Sequence, residues 1–181
     1  LTAYGQNFRA GVYPIGVVPE EIRELAESYK SRRRPMRRNT DVPRKNIISV
    51  DRLDYSKGLV ERFKAYEAFL DRFPEHRRNV EFIQIAPTSR SDVKTYQAIR
   101  RQLESEAGHI NGRLSDLDWT PLHYLNKSHD RRTLMSLFRY AAVGFVTPLR
   151  DGMNLVAKEY VASQNPEDPG VLVLSRFAGA A

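Results

Sequence analysis

The sequence predicts an α/β fold built on a Rossmann-like, mostly parallel sheet. Two observations carry this. Short β-branched runs alternate with longer stretches of helical period along the chain, with no internal repeat or low-complexity tract between them. The segments joining the runs are long enough for crossover helices, which implies right-handed βαβ units.

The elements follow in order. "GVYPIGV" reads as extended, and Pro14 places it at an edge or strand end. "PEEIRELAESYK" opens with Pro19 and two acids, the chemistry of a helix N-terminus. "NIISV" is a short apolar strand leading through "DRLDYSKG" into "LVERFKAYEAFLDRF", where Leu59, Phe63, Tyr66 and Leu70 mark one helical face. "VEFIQIA" is a strand, "PTSRSD" a loop, and "VKTYQAIRRQLESEAGHIN" a long polar helix. "PLHYLN" is a further strand, and His129 and Asp130 start the helix "RRTLMSLFRYA". "AVGFVTP" and "PGVLVLS" are the last strands, the second expected to be buried, with a helix beginning near Asn154 between them. "RFAGAA" follows the last strand with no covering helix, so the domain is expected to be incomplete at both ends.

Composition bounds the function. The 181 residues suit one domain, 41% apolar and 28% charged, as in soluble globular proteins. There is no apolar run of about 18 residues, the length a membrane helix needs. No signal peptide is visible. The absence of cysteine removes disulfides and thiolate metal sites and agrees with a cytoplasmic location. A net charge of +7 and a pI of about 9.8 favour anionic ligands. Much of the excess lies in "KSRRRPMRR", residues 30–38, which reads either as a solvated helix end or as a nucleic-acid arm. No aromatic residue interleaves with these arginines, which argues against single-strand stacking.

Parallel sheets place ligands at the carboxyl ends of their strands, so the loops after "IISV", "IQIA" and "FVTP" matter most. In the first, Arg52 and Lys57 are cations at a strand end, with Lys57 in the first turn of the following helix, a placement that an anion would make favourable. Ser56 is a candidate helix cap, Gly58 permits close approach, and Asp54 pairs with a neighbouring cation or backbone group. The same stretch also reads as a capped helix with two surface cations. In the second loop Arg90 could reach a phosphate, or be a plain loop arginine with Ser91 capping the next helix. In the third, the N–H groups of Gly152, Met153, Asn154 and Leu155 can donate to hydroxyls or phosphate oxygens. Asp151 can accept from sugar hydroxyls, and Glu159, one turn beyond Leu155, could hold a vicinal diol. Asp151 as a cap and Glu159 as a surface acid is the alternative. The four histidines show no metal-ligand spacing, and no glycine-rich dinucleotide, Walker A or nucleophile-elbow pattern occurs.

Taken together, "VDRLDYSKGL", "QIAPTSR" and "VTPLRDGMNLVAKEYVA" resemble the trehalose-6-phosphate synthase family, retaining glucosyltransferases of the GT-B type. "AYEAFLDRFPEHR", "LESEAGHING" and "VLVLSRFAGAA" extend the resemblance over nearly the whole chain. It implies that residues 1–181 form the nucleotide-sugar-binding, C-terminal domain of such an enzyme. The family moves glucose from a nucleoside diphosphate donor, commonly UDP-glucose, to glucose 6-phosphate, giving trehalose 6-phosphate. By matching position, Arg52 and Lys57 would hold the donor diphosphate. Asp151 with the N–H groups of Gly152, Met153, Asn154 and Leu155 would hold sugar and diphosphate, and Glu159 the ribose. Residues near His129 and Leu134 would border the base, and Arg90 would reach the acceptor phosphate. Catalysis would fall to Arg52, Lys57 and Asp151, by front-face substitution with no metal or cofactor.

The resemblance implies a nucleotide sugar and glucose 6-phosphate as partners, with neither nucleic acid nor membrane, and leaves the donor base and self-association of the longer protein open. Most acceptor contacts of the family fall in an N-terminal domain that this sequence does not match, so the chain alone is expected to be inactive. Competing readings are a pseudo-glycosyltransferase of the same fold, a non-catalytic regulatory domain, and nucleic-acid binding through the arginines of residues 32–38.

Overall fold

The computed structural model describes residues 2–9, 11, 13–28, 44–88 and 94–180. Two short strands, β1 (Thr2–Ala3) and β2 (Gln6–Asn7), form an antiparallel pair turned by Tyr4 and Gly5, both at positive φ. Helix α1 (Pro19–Ser28) follows, with Glu20 and Glu21 in its first turn as the sequence predicts.

The main sheet holds five parallel strands: β3 (Lys45–Val50), β4 (Val80–Ile85), β5 (Leu122–Leu125), β6 (Val143–Val146) and β7 (Val171–Leu174). Their spatial order is β5-β4-β3-β6-β7. The chain therefore builds outward from β3 to one edge, then returns to build from β3 to the other. That reversal creates a crevice between the carboxyl ends of β3 and β6, the place where open α/β sheets take their ligands.

Helices α2 (Leu59–Arg72) and α3 (Lys94–Leu114) lie on one face, and α1, α4 (Arg131–Arg139) and α5 (Leu155–Ser163) on the other. The division follows from side-chain alternation along the strands. In β4, Val80 and Phe82 enter the core with Leu59, Phe63, Tyr66 and Leu70 of α2, while Ile83 and Ile85 enter the opposite core with Ile22 and Met135. Full burial of such side chains contributes about 1.5–3 kcal/mol each. Two large buried side chains place their polar tips on backbone carbonyls: Trp119 Nε1 donates to the Val80 carbonyl at 2.8 Å, and Tyr66 Oη to the Pro121 carbonyl at 3.0 Å.

The structure differs from the sequence-based expectation at three points. β7 lies at the sheet edge, with Val171 62% and Val173 43% exposed, whereas a buried strand is expected. An unbroken apolar run looks the same in the centre of a sheet and at its edge. Among the described residues of 11–17 there is no strand; Pro14 removes a ladder donor, and Val17 instead packs on the second core. Ser56 does not cap α2. Asp54 caps a separate 3-10 turn, Tyr55–Lys57, its Oδ1 accepting from Ser56 N and Ser56 Oγ, both at 2.8 Å. Gly58, left-handed at φ 61°, divides that turn from α2, so Lys57 precedes the helix rather than lying in its first turn. Residues 30–38, Arg90 and Ser91 lie outside the described residues.

Candidate functional site

Two loops form the crevice between β3 and β6. The first runs from Asp51 to Gly58 and the second from Thr147 to Asn154, and their backbones are joined directly. The Ser56 carbonyl accepts from Leu149 N at 2.8 Å and from Arg150 N at 3.2 Å. Gly58 makes this approach feasible: a Cβ there would lie 3.1 Å from the Thr147 carbonyl oxygen and 3.2 Å from Leu149 Cγ.

Between the loops opens a cleft of about 450 Å³, lined by Arg52, Tyr55, Lys57, Arg150, Asp151 and Gly152 among others. Arg52 is exposed to it. Lys57 Nζ donates to Asp151 Oδ2 at 2.5 Å, both side chains being largely buried. Asn154 Nδ2 donates to the same Oδ2 at 2.9 Å. Burial works to raise the Asp151 carboxyl, but the Lys57 hydrogen bond and charge outweigh it. With help from Asn154 and the Gly152 N–H, they hold it below its ordinary value of 3.8.

Asn154 has a second task. It is the N-cap of α5, at φ 48° and ψ 73°, and its Oδ1 accepts from Ala157 N at 2.9 Å. Asparagine tolerates this left-handed conformation better than most residues. One side chain thus starts the helix and holds Asp151, so Asp151 itself is not the cap. The Asp151 backbone is held on its far side, where its N–H donates to the Phe177 carbonyl at 3.1 Å and its carbonyl accepts from Gly179 N at 3.0 Å. Gly152 is open: a Cβ there would meet nothing within 4 Å. Met153 is exposed and Leu155 half-buried at the helix start.

Glu159 lies on α5 about 6 Å along the axis from Leu155. Burial pushes its carboxyl up from 4.5, opposed but not cancelled by Arg131, whose Nη2 lies 3.5 Å from Glu159 Oε1. Leu134, on the neighbouring α4, packs partly buried against the second core. His129 precedes the α4 cap Asp130, and its Nε2 is buried without a partner among the described residues. The structure thus brings Arg52, Lys57 and Asp151 into one cleft, with Gly152, Met153, Asn154 and Leu155 following at the start of α5. Glu159 and Leu134 lie farther along the α4–α5 side.

A residue absent from the sequence-based set is central here. Arg62 of α2 is fully buried beneath the first loop and bonded to both loop roots. Its position was legible: Arg62 falls three residues after Leu59 and four before Tyr66, within the apolar stripe of the helix. Among the described residues no group of three or more His, Asp or Glu gathers as a metal site, and no helix is long and apolar enough to cross a membrane.

Comparison with known proteins agrees over the full length. The glycosyltransferase family 20 model matches residues 1–181. The trehalose-6-phosphate synthase of Sodalis glossinidius is 62% identical over 181 residues, all of this chain and 38% of the relative. A UDP-forming α,α-trehalose-phosphate synthase from Burkholderia xenovorans, solved in complex with glucose-6-phosphate, superposes with a TM-score of 0.93 at 58% identity. That match covers 99% of this chain and 40% of the other. An Escherichia coli protein solved with bound UDP-2-fluoro glucose matches with a TM-score of 0.87 at 56% identity, over 99% of this chain and 40% of that one. The chain spans about two fifths of the length of these relatives. Together with the five-stranded parallel sheet, these matches show that the chain belongs to glycosyltransferase family 20.

Proposed function

We propose that this chain is the donor-binding half of a retaining glucosyltransferase that moves glucose from UDP-glucose to glucose 6-phosphate, giving trehalose 6-phosphate. The observation that carries it is the meeting of Lys57 and Asp151, beside Arg52, in the cleft at the topological switch point. The ligands bound in two solved relatives support the choice of substrates.

In this reading residues 1–181 are one nucleotide-sugar-binding domain. Arg52 and Lys57 hold the donor diphosphate, and the N–H groups of Gly152, Met153, Asn154 and Leu155 add donors from the α5 end. Asp151 accepts from the glucose hydroxyls. Glu159 accepts from both ribose hydroxyls, Leu134 borders the base, and Arg90 reaches the phosphate of the acceptor.

The chemistry follows from this placement. The bond from glucose C1 to the diphosphate oxygen breaks while the acceptor hydroxyl adds on the same face, and the acceptor proton can pass to the departing oxygen. Charge grows on the diphosphate as it leaves, and Arg52 and Lys57 stabilise that charge in place. Other acceptor contacts fall to parts of the relatives that this chain does not span, so the stretch alone turns over nothing.

The test is a donor panel on the intact protein that carries this chain. UDP release that requires both UDP-glucose and glucose 6-phosphate, with trehalose 6-phosphate formed, is the expected result. Failure to form that product with any nucleoside-diphosphate glucose overturns the reading.

A further inference from the structure

Arg62 is the most heavily bonded side chain beneath the cleft, and it touches neither the cleft surface nor solvent. Its Nη1 donates to Asp51 Oδ2 at 2.6 Å, to Ser49 Oγ at 2.5 Å and to Gln84 Oε1 at 2.9 Å. Its Nε donates to Thr147 Oγ1 at 3.0 Å, and its Nη2 to the Lys57 carbonyl at 3.1 Å. The acceptors come from β3 and its exit, from β4, from the exit of β6, and from the turn that carries Lys57.

A buried ion pair is weak evidence for stability, because the desolvation cost offsets much of the attraction. Asp51 alone would neutralise the guanidinium, so charge balance does not explain the remaining contacts. Their arrangement does have a consequence. The Nε and Nη2 edges span the roots of the two cleft loops, fixing Thr147 relative to Lys57. Asp151, the partner of Lys57 Nζ, stands four residues beyond Thr147. A planar guanidinium with a fixed fork of donors holds such a separation; a lysine at the same place cannot.

We propose that Arg62 is a positioning residue for donor binding: it sets the spacing of the two cleft loops and thereby aims Lys57 at the diphosphate. The inference rests on the donor-binding reading above, and it predicts that the effect of Arg62 on nucleotide affinity passes through Lys57.

A double-mutant cycle on the intact protein, read by calorimetric titration with UDP, tests it. Arg62→Lys keeps a cation beside Asp51 while losing the fork. It should weaken UDP binding about fivefold or more in the wild-type background, within the range of coupled neighbours, and by less than about twofold when Lys57 is already Met. Equal losses in both backgrounds would mean a general structural role and would overturn the proposal. If Arg62→Lys does not fold, Thr147→Val decides, since it removes only the Nε acceptor. A loss of UDP affinity that vanishes in the Lys57→Met background supports the proposal, and a loss of equal size in both, or none, overturns it. Wild-type protein that binds no UDP overturns the donor-binding reading as well, whereas wild-type binding without coupling overturns the Arg62 proposal alone.

Discussion

Lys57 and Asp151 stand 94 positions apart in the chain and meet at 2.5 Å across the cleft between β3 and β6. In the proposed donor-binding reading, a diphosphate competes with Asp151 for Lys57, or shares it.

Removing Asp151 should free Lys57. We predict that Asp151→Ala binds UDP at least as tightly as wild type in calorimetric titration, yet loses any preference for UDP-glucose over UDP. The same pair gives a pH signature. Because the folded-state pKa of Asp151 is lowered, its stabilising contribution is present above its unfolded pKa and is lost as pH falls through the folded one. Asp151→Asn should flatten the acid limb of the stability curve; an unchanged limb would show that the pair contributes nothing measurable.

Glu159 carries the opposite sign. Burial raises its carboxyl above 4.5 despite Arg131, so ionised Glu159 costs stability at neutral pH, and the cost disappears below its unfolded pKa. Glu159→Gln should therefore melt slightly higher at neutral pH and equally at low pH. It should also bind UDP more weakly at neutral pH, because a carboxylate accepts from two ribose hydroxyls and an amide from one. Wild-type affinity should fall on acidification at a pH above 4.5, and the variant should lack that part of the fall. A variant that melts lower at neutral pH, with unchanged UDP affinity, would remove Glu159 from both roles.

At Gly58 the first loop passes close to the second, leaving little room for a side chain. Gly58→Ala places a side chain at φ 61°, at a cost of about 1–2 kcal/mol. It also presses Cβ against the Thr147 carbonyl and Leu149. Thermal unfolding should register that loss, and UDP affinity should fall with it as the loops part. A fully stable variant would show that the loops have slack.

Much of this was legible in the sequence, and the misses share a physical cause. The stripe Leu59, Phe63, Tyr66, Leu70 gave α2 because its period is local, and the strand-end rule placed Arg52, Lys57 and Asp151 near one another because topology fixes where loops converge. The start of α5 near Asn154 was readable from residue type. What local pattern cannot supply is the choice among equivalent partners. Ser56 and Asp54 are both good caps, and the left-handed Gly58 decided between them by ending one turn before the next began. The helical period puts Arg62 on the apolar stripe of α2, but only the fold shows that Asp51, Gln84 and Thr147 receive its guanidinium there. Val171 and Val173 read as core because an apolar run carries no record of its neighbours.

The most direct measurement is calorimetric titration of UDP into the intact protein, wild type beside Lys57→Ala and Glu159→Ala. Wild type should bind. Lys57→Ala should bind about tenfold more weakly or worse, as expected for loss of a charge-assisted hydrogen bond, and Glu159→Ala should also weaken binding. No UDP binding by folded wild type, or two variants that bind like it, would contradict the assignment of this cleft to the donor nucleotide.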